Sequence, residues 1–354
     1  MIEKVCQIGP ALDVQGGISS VLASYKKLFK LRNENFLASY NGSFVRSLPI
    51  LLVVCLKLLV ETNKNFALYQ IHTSSYGSFF RKYLISLCLR IRKKRYVVHV
   101  HGSVFDKFCS KSPRFVKGMI KDYFRHAECI IVLSSEMKFF LETFDSCLEN
   151  FSIVPNPGES IAEKPVDLSS HENPVNIVFS GRFGNRKGIY DLLNAFDEAS
   201  FSQPTELYLY GDGEVEKVQD AVQRAKKKNE IHVSSWLKHD EYLRSLQSFD
   251  FLVLPSYAER FSMSLVEALG MGLPVVSTFV GGTSEVVEDG VCGILCQPGD
   301  IPSLKKALES LANDREKRIQ MGLAGWKRAQ AHFSASVVLN KLEKCYRDLL
   351  VDPL

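Results

Sequence analysis

The chain has few of the features that would mark it as a membrane-spanning, disulfide-built or repetitive protein. Its longest apolar run, Leu48 to Val60, covers 13 residues and includes Lys57, short of the roughly 20 residues that a bilayer-spanning helix needs. The nine cysteines are odd in number and scattered, which argues against a disulfide framework and for a reducing compartment. Cys292 and Cys296 form the only close pair; with no second cluster they read as small core residues rather than metal ligands. No basic-then-apolar leader precedes the first strand-like run, Val5-Cys6-Gln7-Ile8-Gly9, so the expected location is cytoplasmic. No G-x-x-x-x-G-K-[ST] or G-x-S-x-G string occurs, which argues against P-loop kinases and common hydrolases. The stretch from Gly9 to Gly17 lacks G-x-G-x-x-G spacing, so an NAD-linked oxidoreductase is disfavoured as well. Basic residues are not interleaved with aromatics in a recognisable module, and no nucleic-acid partner is expected. There is no internal repeat or low-complexity tract.

What the chain does have is alternation. Its 354 residues suit two domains of roughly 150–180 residues each, and 46% apolar and 23% charged residues are ordinary globular values. Short β-rich apolar runs alternate with amphipathic stretches throughout, the signature of parallel sheets with crossover helices. The first half offers strands at Lys4–Gly9, Asn35–Tyr40, Ala67–His72, Tyr96–His101, Cys129–Leu133 and Phe151–Val154. The second half offers Val175–Ser180, Glu206–Tyr210, Ile231–Ser234, Phe251–Leu254, Pro274–Ser277 and Gly293–Leu295. Pro155-Asn156-Pro157-Gly158 and the polar stretch to Pro174 read as the linker. Domains are therefore expected at 1–165 and 166–335, with a last helix over 336–354 after a break near Ala331-His332-Phe333.

Charge is unevenly divided. Residues 1–165 hold 23 Lys and Arg against 13 Asp and Glu, whereas the remainder holds 21 against 26. The first domain is thus directed toward something anionic. Arg90, Arg92, Lys93, Lys94 and Arg95 follow a helix expected over Phe79–Leu89, near Arg81 and Lys82. Two readings are open: a solvated helix end whose cations complement the dipole, or a surface that rests on anionic lipid. The helix Leu48–Val60 is apolar almost all round, which means either burial between layers or contact with lipid.

The densest chemistry lies between the strand Phe251–Leu254 and the helix that follows it. Glu259 sits on the loop at the carboxyl end of the strand, Ser262, Met263 and Ser264 open the helix, and Glu267 lies about two turns in. Amides at a helix N-terminus favour phosphate oxygens. Two carboxylates flanking them suit a sugar nucleotide, one for sugar hydroxyls and one for ribose. In open α/β sheets ligands bind at the carboxyl ends of strands. Arg182 and Lys187 lie just beyond Val175–Ser180, where they can hold a diphosphate by a guanidinium fork and a point charge; Arg186 is the alternative for the lysine's role. Gly16 and Gly17 sit in the first βα loop, where backbone can approach a ligand. His101 ends a strand at the same rim, before Gly102-Ser103. His72 and His99 read as structural.

The segment Glu259 to Glu267 resembles the E-x7-E motif of the family 4 retaining glycosyltransferases. Gly181-Arg182 with Lys187-Gly188, Gly211-Asp212-Gly213, Val280-Gly281-Gly282 with Glu285, and Gly293-Ile294-Leu295 leading to Pro298-Gly299-Asp300 follow in the family's order. Gly16-Gly17 and His101-Gly102-Ser103 match its glycine-rich loop and H-G element. Ser235 before Trp236, and Arg260 and Ser262, stand where glycine is commoner. The resemblance implies an α/β protein of GT-B fold, with two Rossmann-like domains facing each other across a cleft and a final helix crossing back to the first. It implies a retaining transferase that moves a sugar from a nucleotide-diphosphate donor to a saccharide acceptor, lipid-linked, in bacterial surface polysaccharide synthesis. By that resemblance Glu259, His101, Arg182 and Lys187 carry catalysis. Gly16, Gly17, Arg182, Lys187, Ser262, Met263, Ser264 and Glu267 bind the donor. No cofactor and no metal are implied, since no D-x-D element occurs. A sugar-nucleotide epimerase of the same fold and a non-catalytic nucleotide-sugar-binding protein are the alternatives. The partners expected are a nucleotide sugar, a saccharide or lipid-linked saccharide acceptor, and an anionic membrane surface on the inner face of the plasma membrane.

Overall fold

A computed structural model describes residues 1–14, 16–60, 66–102, 104–158 and 161–350, with side chains of residues 44–46 excepted. Ser103 of the H-G element lies outside the described residues. The chain divides into two compact units, one ending at Pro157 and completed by the helix from Ala335, the other spanning Gly158–Ser334.

The first unit contains β1 (Val5–Gly9), β2 (Phe36–Ala38), β3 (Leu68–Thr73), β4 (Tyr96–Val100), β5 (Ile130–Val132) and β6 (Phe151–Ile153). All pairings are parallel, in the order β2-β1-β3-β4-β5-β6. The second contains β7 (Val175–Ser180), β8 (Thr205–Tyr210), β9 (Ile231–Ser234), β10 (Phe251–Leu254), β11 (Val275–Thr278) and β12 (Gly293–Cys296). These are again all parallel, in the order β12-β11-β10-β7-β8-β9. Helices cover both faces, so the central strands β4 and β10 are buried at every residue. That is why β10 reads as an unbroken apolar run and β4 as one interrupted only by His99, rather than as alternating strands.

Each sheet has one place where the chain reverses direction across it. In the first unit the reversal lies between β1 and β3, and in the second between β7 and β10. The carboxyl ends of such strand pairs splay their loops apart and leave a crevice. The two candidate sites of this protein occupy these crevices.

The helix Ala335–Leu350 belongs to the first unit. Val338, Leu342, Cys345 and Tyr346, at helical spacing, are buried with Ile2, Val5, Leu68, Val97 and Ile131. The preceding helix, Arg315–Phe333, continues through residues 331–333, where a break was expected, and stops at Ser334. The first boundary also falls earlier than expected, at Pro157/Gly158 rather than after residue 165. The cause is hydrogen bonding: Ala162 N donates to Gly270 O at 3.0 Å, Val166 N to Met271 O at 2.8 Å, and Trp326 Nε1 to Ala162 O at 2.8 Å. These bonds tie much of the polar stretch to the second unit.

The helix Phe44–Val60 is neither wholly buried nor wholly exposed. Leu51 and Val54 enter the core, whereas Leu48, Leu52, Leu56 and Val60 are 63%, 57%, 59% and 72% exposed. It packs beside the helix Gly77–Ile91, which leaves Leu84 and Ile91 exposed. Among the described residues no helix is long and apolar enough to cross a membrane.

Candidate active site

The crevice of the second unit is built from two loops. One follows β7 and carries Gly181 to Gly188; the other follows β10 and carries Pro255 to Ser262. Lys187 Nζ lies 2.5 Å from Glu259 Oε1, with side chains only 14% and 8% exposed. Ser256 Oγ donates to the same carboxylate oxygen at 2.8 Å. A buried carboxylate thus faces one cation and one hydroxyl, a geometry in which losing either charge strands the other. Tyr257 N donates to Arg186 O at 2.9 Å, which zips the two loops together beside this pair.

Two glycines make the approach possible. Gly188 has φ +68°, and a Cβ there would lie 1.9 Å from Pro255 O. Gly281 has φ +53°, and a Cβ there would meet Glu259 O at 1.7 Å. Any side chain at either position would push the lysine loop or the Val280-Gly281-Gly282 loop away from the Glu259 segment. These motif glycines therefore hold the charged pair together.

The helix Met263–Met271 opens at Ser262, whose side chain makes no capping bond. Its first amides consequently have no side-chain acceptor at the cap position and suit an anion. Ser264 Oγ donates to Ser180 O at 3.3 Å, fastening the helix start to the end of β7. Glu267, about one turn further along the helix, is buried, with His239 Nε2 3.8 Å from its Oε1. The Tyr242 hydroxyl is held in its protonated form by burial first and by the Glu267 charge second.

Arg182 is exposed and runs along the turn at Gly213, whose added Cβ would meet Arg182 Cγ at 3.0 Å. That turn is stitched to the Arg182 loop by Phe183 N donating to Asp212 O at 2.6 Å. Arg186 points elsewhere: its guanidinium donates to Ala258 O at 3.3 Å rather than to Glu259. Trp236, on the loop after β9, is 44% exposed. Lys187, Glu259, Ser262, Met263, Ser264 and Glu267 are thus gathered around one switch point, with Arg182 on the neighbouring loop. Gly16, Gly17 and His101 belong to the other unit.

His101 has unexpected company there. Its Nε2 lies 2.8 Å from His72 Nδ1, His72 Nε2 is 2.8 Å from Gln7 Oε1, and Gln70 Nε2 is 3.0 Å from His99 Nδ1. Tyr346 of the last helix donates to Gln70 Oε1. Burial, and the mutual repulsion of their protonated forms, hold His72 and His99 well below the ordinary imidazole range. The ligating atoms of His72, His99 and His101 lie within 4.8 Å of one another, the one such group among the described residues with potential to hold a metal ion. Treating His72 and His99 as ordinary core residues overlooks this network. The available signal was register: His72 pairs with His99 and Gln7 with Gln70, so the polar residues of three apolar strands line one face.

Residues 160–328 match the family Glycosyl transferases group 1. Over 228 residues the chain is 26% identical to glycogen synthase of Mycobacterium tuberculosis, covering 63% of this chain and 54% of that protein. It is 27% identical over 187 residues to the capsular polysaccharide biosynthesis glycosyltransferase CapM of Staphylococcus aureus, covering 49% and 46%. The chain spans about half the length of these curated relatives. The Anabaena protein HepE, solved in complex with UDP-glucose, superposes with a TM-score of 0.77 at 18% identity, covering 97% of this chain and 99% of that one. Two parallel six-stranded sheets together with this likeness establish the GT-B fold. The domain match and the named relatives support a transferase.

Proposed function

We propose that the protein is a retaining glycosyltransferase that moves a sugar from a nucleoside-diphosphate donor to a saccharide acceptor in surface polysaccharide synthesis. The observation that carries this reading is the buried Lys187–Glu259 pair beside the start of the helix Met263–Met271, inside the segment matched to the transferase family. The binding of UDP-glucose by HepE, an overall neighbour in fold, supports a nucleotide sugar as donor. A capsule-synthesis relative supports a polysaccharide product.

In this reading the helix amides and Lys187, with Arg182 nearby, receive the diphosphate. Glu267 takes the ribose hydroxyls and Glu259 the donor sugar. During transfer the bond between the anomeric carbon and the phosphate oxygen breaks, and the acceptor oxygen bonds to that carbon on the same face. The acceptor proton passes to the departing diphosphate. Preorganised cations stabilise charge that grows as the leaving group departs, and here Glu259 keeps Lys187 in place until the donor arrives. In the first unit, the network through His72 fixes the ring orientation of His101. The chemistry needs no metal, because two basic side chains and a helix N-terminus neutralise the diphosphate.

Location follows from the first unit. Leu48, Leu52, Leu56 and Val60 are exposed on one helix, and Leu84 and Ile91 on the helix packed beside it, apolar side chains that suit contact with lipid. Arg92 and Lys93, exposed beside Ile91, add charge that favours anionic lipid, although Arg90 and Arg95 are already paired with Asp122 and Glu128. We read this face as resting on the inner leaflet, with a lipid-linked acceptor within reach. The test of the function is to mix the protein with UDP-, GDP-, ADP- and TDP-sugars and follow both melting temperature and sugar transfer, with the anomeric configuration of the product read by NMR. An inverted product, or no nucleotide that stabilises the protein, would defeat the reading.

A further inference from the structure

Four polar side chains on the central strands of the first unit, Gln7, Gln70, His72 and His99, are wholly buried, and the hydrogen bonds among them end at His101. Burial pushes the His101 imidazole down to about 3 and holds His72 and His99 well below their ordinary range. All three rings are therefore neutral, and each carries one N–H. Which nitrogen carries it follows from the partners.

Tyr346, buried on the last helix, gives its only hydrogen to Gln70 Oε1. The Gln70 nitrogen is thereby turned toward the rings, 3.0 Å from His99 Nδ1 and 3.3 Å from His72 Nε2. An amide N–H only donates, so His99 Nδ1 is bare and its proton sits on Nε2. His72 Nε2 faces two competing partners, the Gln70 nitrogen and, at 2.8 Å, Gln7 Oε1. The shorter contact is the stronger. A carbonyl oxygen only accepts, so His72 Nε2 is the donor and His72 Nδ1 is bare. His101 Nε2, 2.8 Å from that Nδ1, must then donate to it. This leaves His101 Nδ1 as a lone pair, buried and without a hydrogen-bond partner. If Gln70 prevailed over Gln7, both rings would be reversed and carry N–H on Nδ1. By spacing the three rings would also suit a metal ion. The hydrogen-bonded form is favoured because the His72 Nδ1 lone pair is already used by His101, and because the nearby Lys82 ammonium opposes positive charge at His72.

We propose that Gln7 is a positioning residue for sugar transfer: acting through His72, it holds His101 in a single tautomer, with N–H on Nε2 and a bare acceptor at Nδ1. The partner of one ring nitrogen decides the state of the other, and here two such steps run in series from a buried amide to the strand end. The part of His101 in transfer rests on the transferase reading; the tautomer does not.

The test is nitrogen-15 NMR of the full chain with labelled histidine, together with UDP release from UDP-glucose, in wild type, Gln7→Met and Tyr346→Phe. Wild type should show N–H on Nε2 for His72, His99 and His101. Gln7→Met removes the competing acceptor, so Gln70 donates to His72, and His72 and His101 both move to N–H on Nδ1. Its kcat should fall at least about tenfold, as a wrong tautomer does at a working histidine, while UDP still raises the melting temperature as in wild type. Tyr346→Phe frees Gln70 to turn its oxygen inward; His99 should move to N–H on Nδ1 and His101 should stay on Nε2. Should Gln7→Met fail to fold, the wild-type and Tyr346→Phe spectra carry the test. Three results would overturn the proposal: a wild-type His101 protonated on Nδ1 or on both nitrogens, a Gln7→Met protein with unchanged His101 tautomer or unchanged kcat, or cobalt(II) that develops ligand-field bands as the three signals vanish. A wild type with the expected tautomers that neither binds UDP nor turns over UDP-glucose would overturn the transferase reading, and the part of Gln7 in transfer with it, and leave the relay from Gln7 to His101 standing.

Discussion

Replacing Lys187 with Met removes a cation from a position where its partner cannot find water. Glu259 is 8% exposed on its side chain, and Lys187 is 14% exposed and 2.5 Å away. After the change the carboxylate keeps only the Ser256 hydroxyl, at 2.8 Å, among the side-chain partners described above. Breaking a buried pair by deleting one partner costs about 3–5 kcal/mol. For a unit of this size each kcal/mol moves the melting temperature by about 2–4 °C, so the second unit should melt roughly 6–20 °C lower. Transfer should also fall by about 10²–10³, the range seen when one preorganised charge-stabilising donor is lost. The double variant Lys187→Met with Glu259→Gln separates these effects. It removes both charges, so most of the stability should return while activity stays lost. Differential scanning calorimetry of the two single variants and the double variant gives the cycle. Additive stability losses would refute the idea that the two side chains act on each other, and a fully active Lys187→Met would refute the catalytic assignment.

Other outcomes follow from the same geometry. Glu267→Ala should weaken nucleotide binding more than it slows turnover, whereas Glu259→Ala should chiefly lower kcat; steady-state kinetics with the reverse pattern would mean that the roles are exchanged. Activity should survive EDTA, and a complete loss restored by a divalent cation would count against the metal-free account. Because burial lowers the His72 and His99 values, the folded state binds fewer protons than the unfolded one below about pH 6.5, so stability should fall as pH drops through that point. A melting temperature flat between pH 7.5 and pH 5 would contradict the buried neutral network. Liposome flotation should show binding that requires anionic lipid, weakens with salt and drops when Leu52 and Leu56 become Ser or when Arg92 and Lys93 become Gln; wild type left wholly in the soluble fraction at low salt would rule the surface out.

Much of the architecture was legible because parallel strands covered on both faces must be continuous apolar runs. All twelve expected strands are present, and Val175–Ser180, Ile231–Ser234 and Phe251–Leu254 match to the residue. The residues around the second switch point were legible for the same reason: Glu259 and Lys187 each follow a clear strand end. Their contact was not. The two are 72 positions apart and meet only because β7 and β10 are neighbours, an adjacency that no periodicity encodes. The boundary near Pro157 was misplaced because polar composition marks exposed side chains and says nothing of backbone amides bonded to the second unit. The helix Phe44–Val60 hid its orientation in a different way: a segment apolar all round gives no sign of which face is inward. His72 and His99 were read as structural because the company a buried polar side chain keeps becomes visible only when the elements around it are placed.

The central claim is that the crevice between β7 and β10 binds a nucleoside diphosphate sugar through Lys187 and Glu267. The most direct measurement is the melting temperature of the wild-type, Lys187→Met and Glu267→Ala proteins against millimolar UDP-, GDP-, ADP- and TDP-sugars. A ligand at a hundred times its dissociation constant stabilises the folded state by about 2.7 kcal/mol. One nucleotide sugar should therefore raise the wild-type transition by several degrees and leave those of both variants nearly unmoved. A panel in which none shifts the wild type, or in which the variants shift as much as the wild type, would contradict the account.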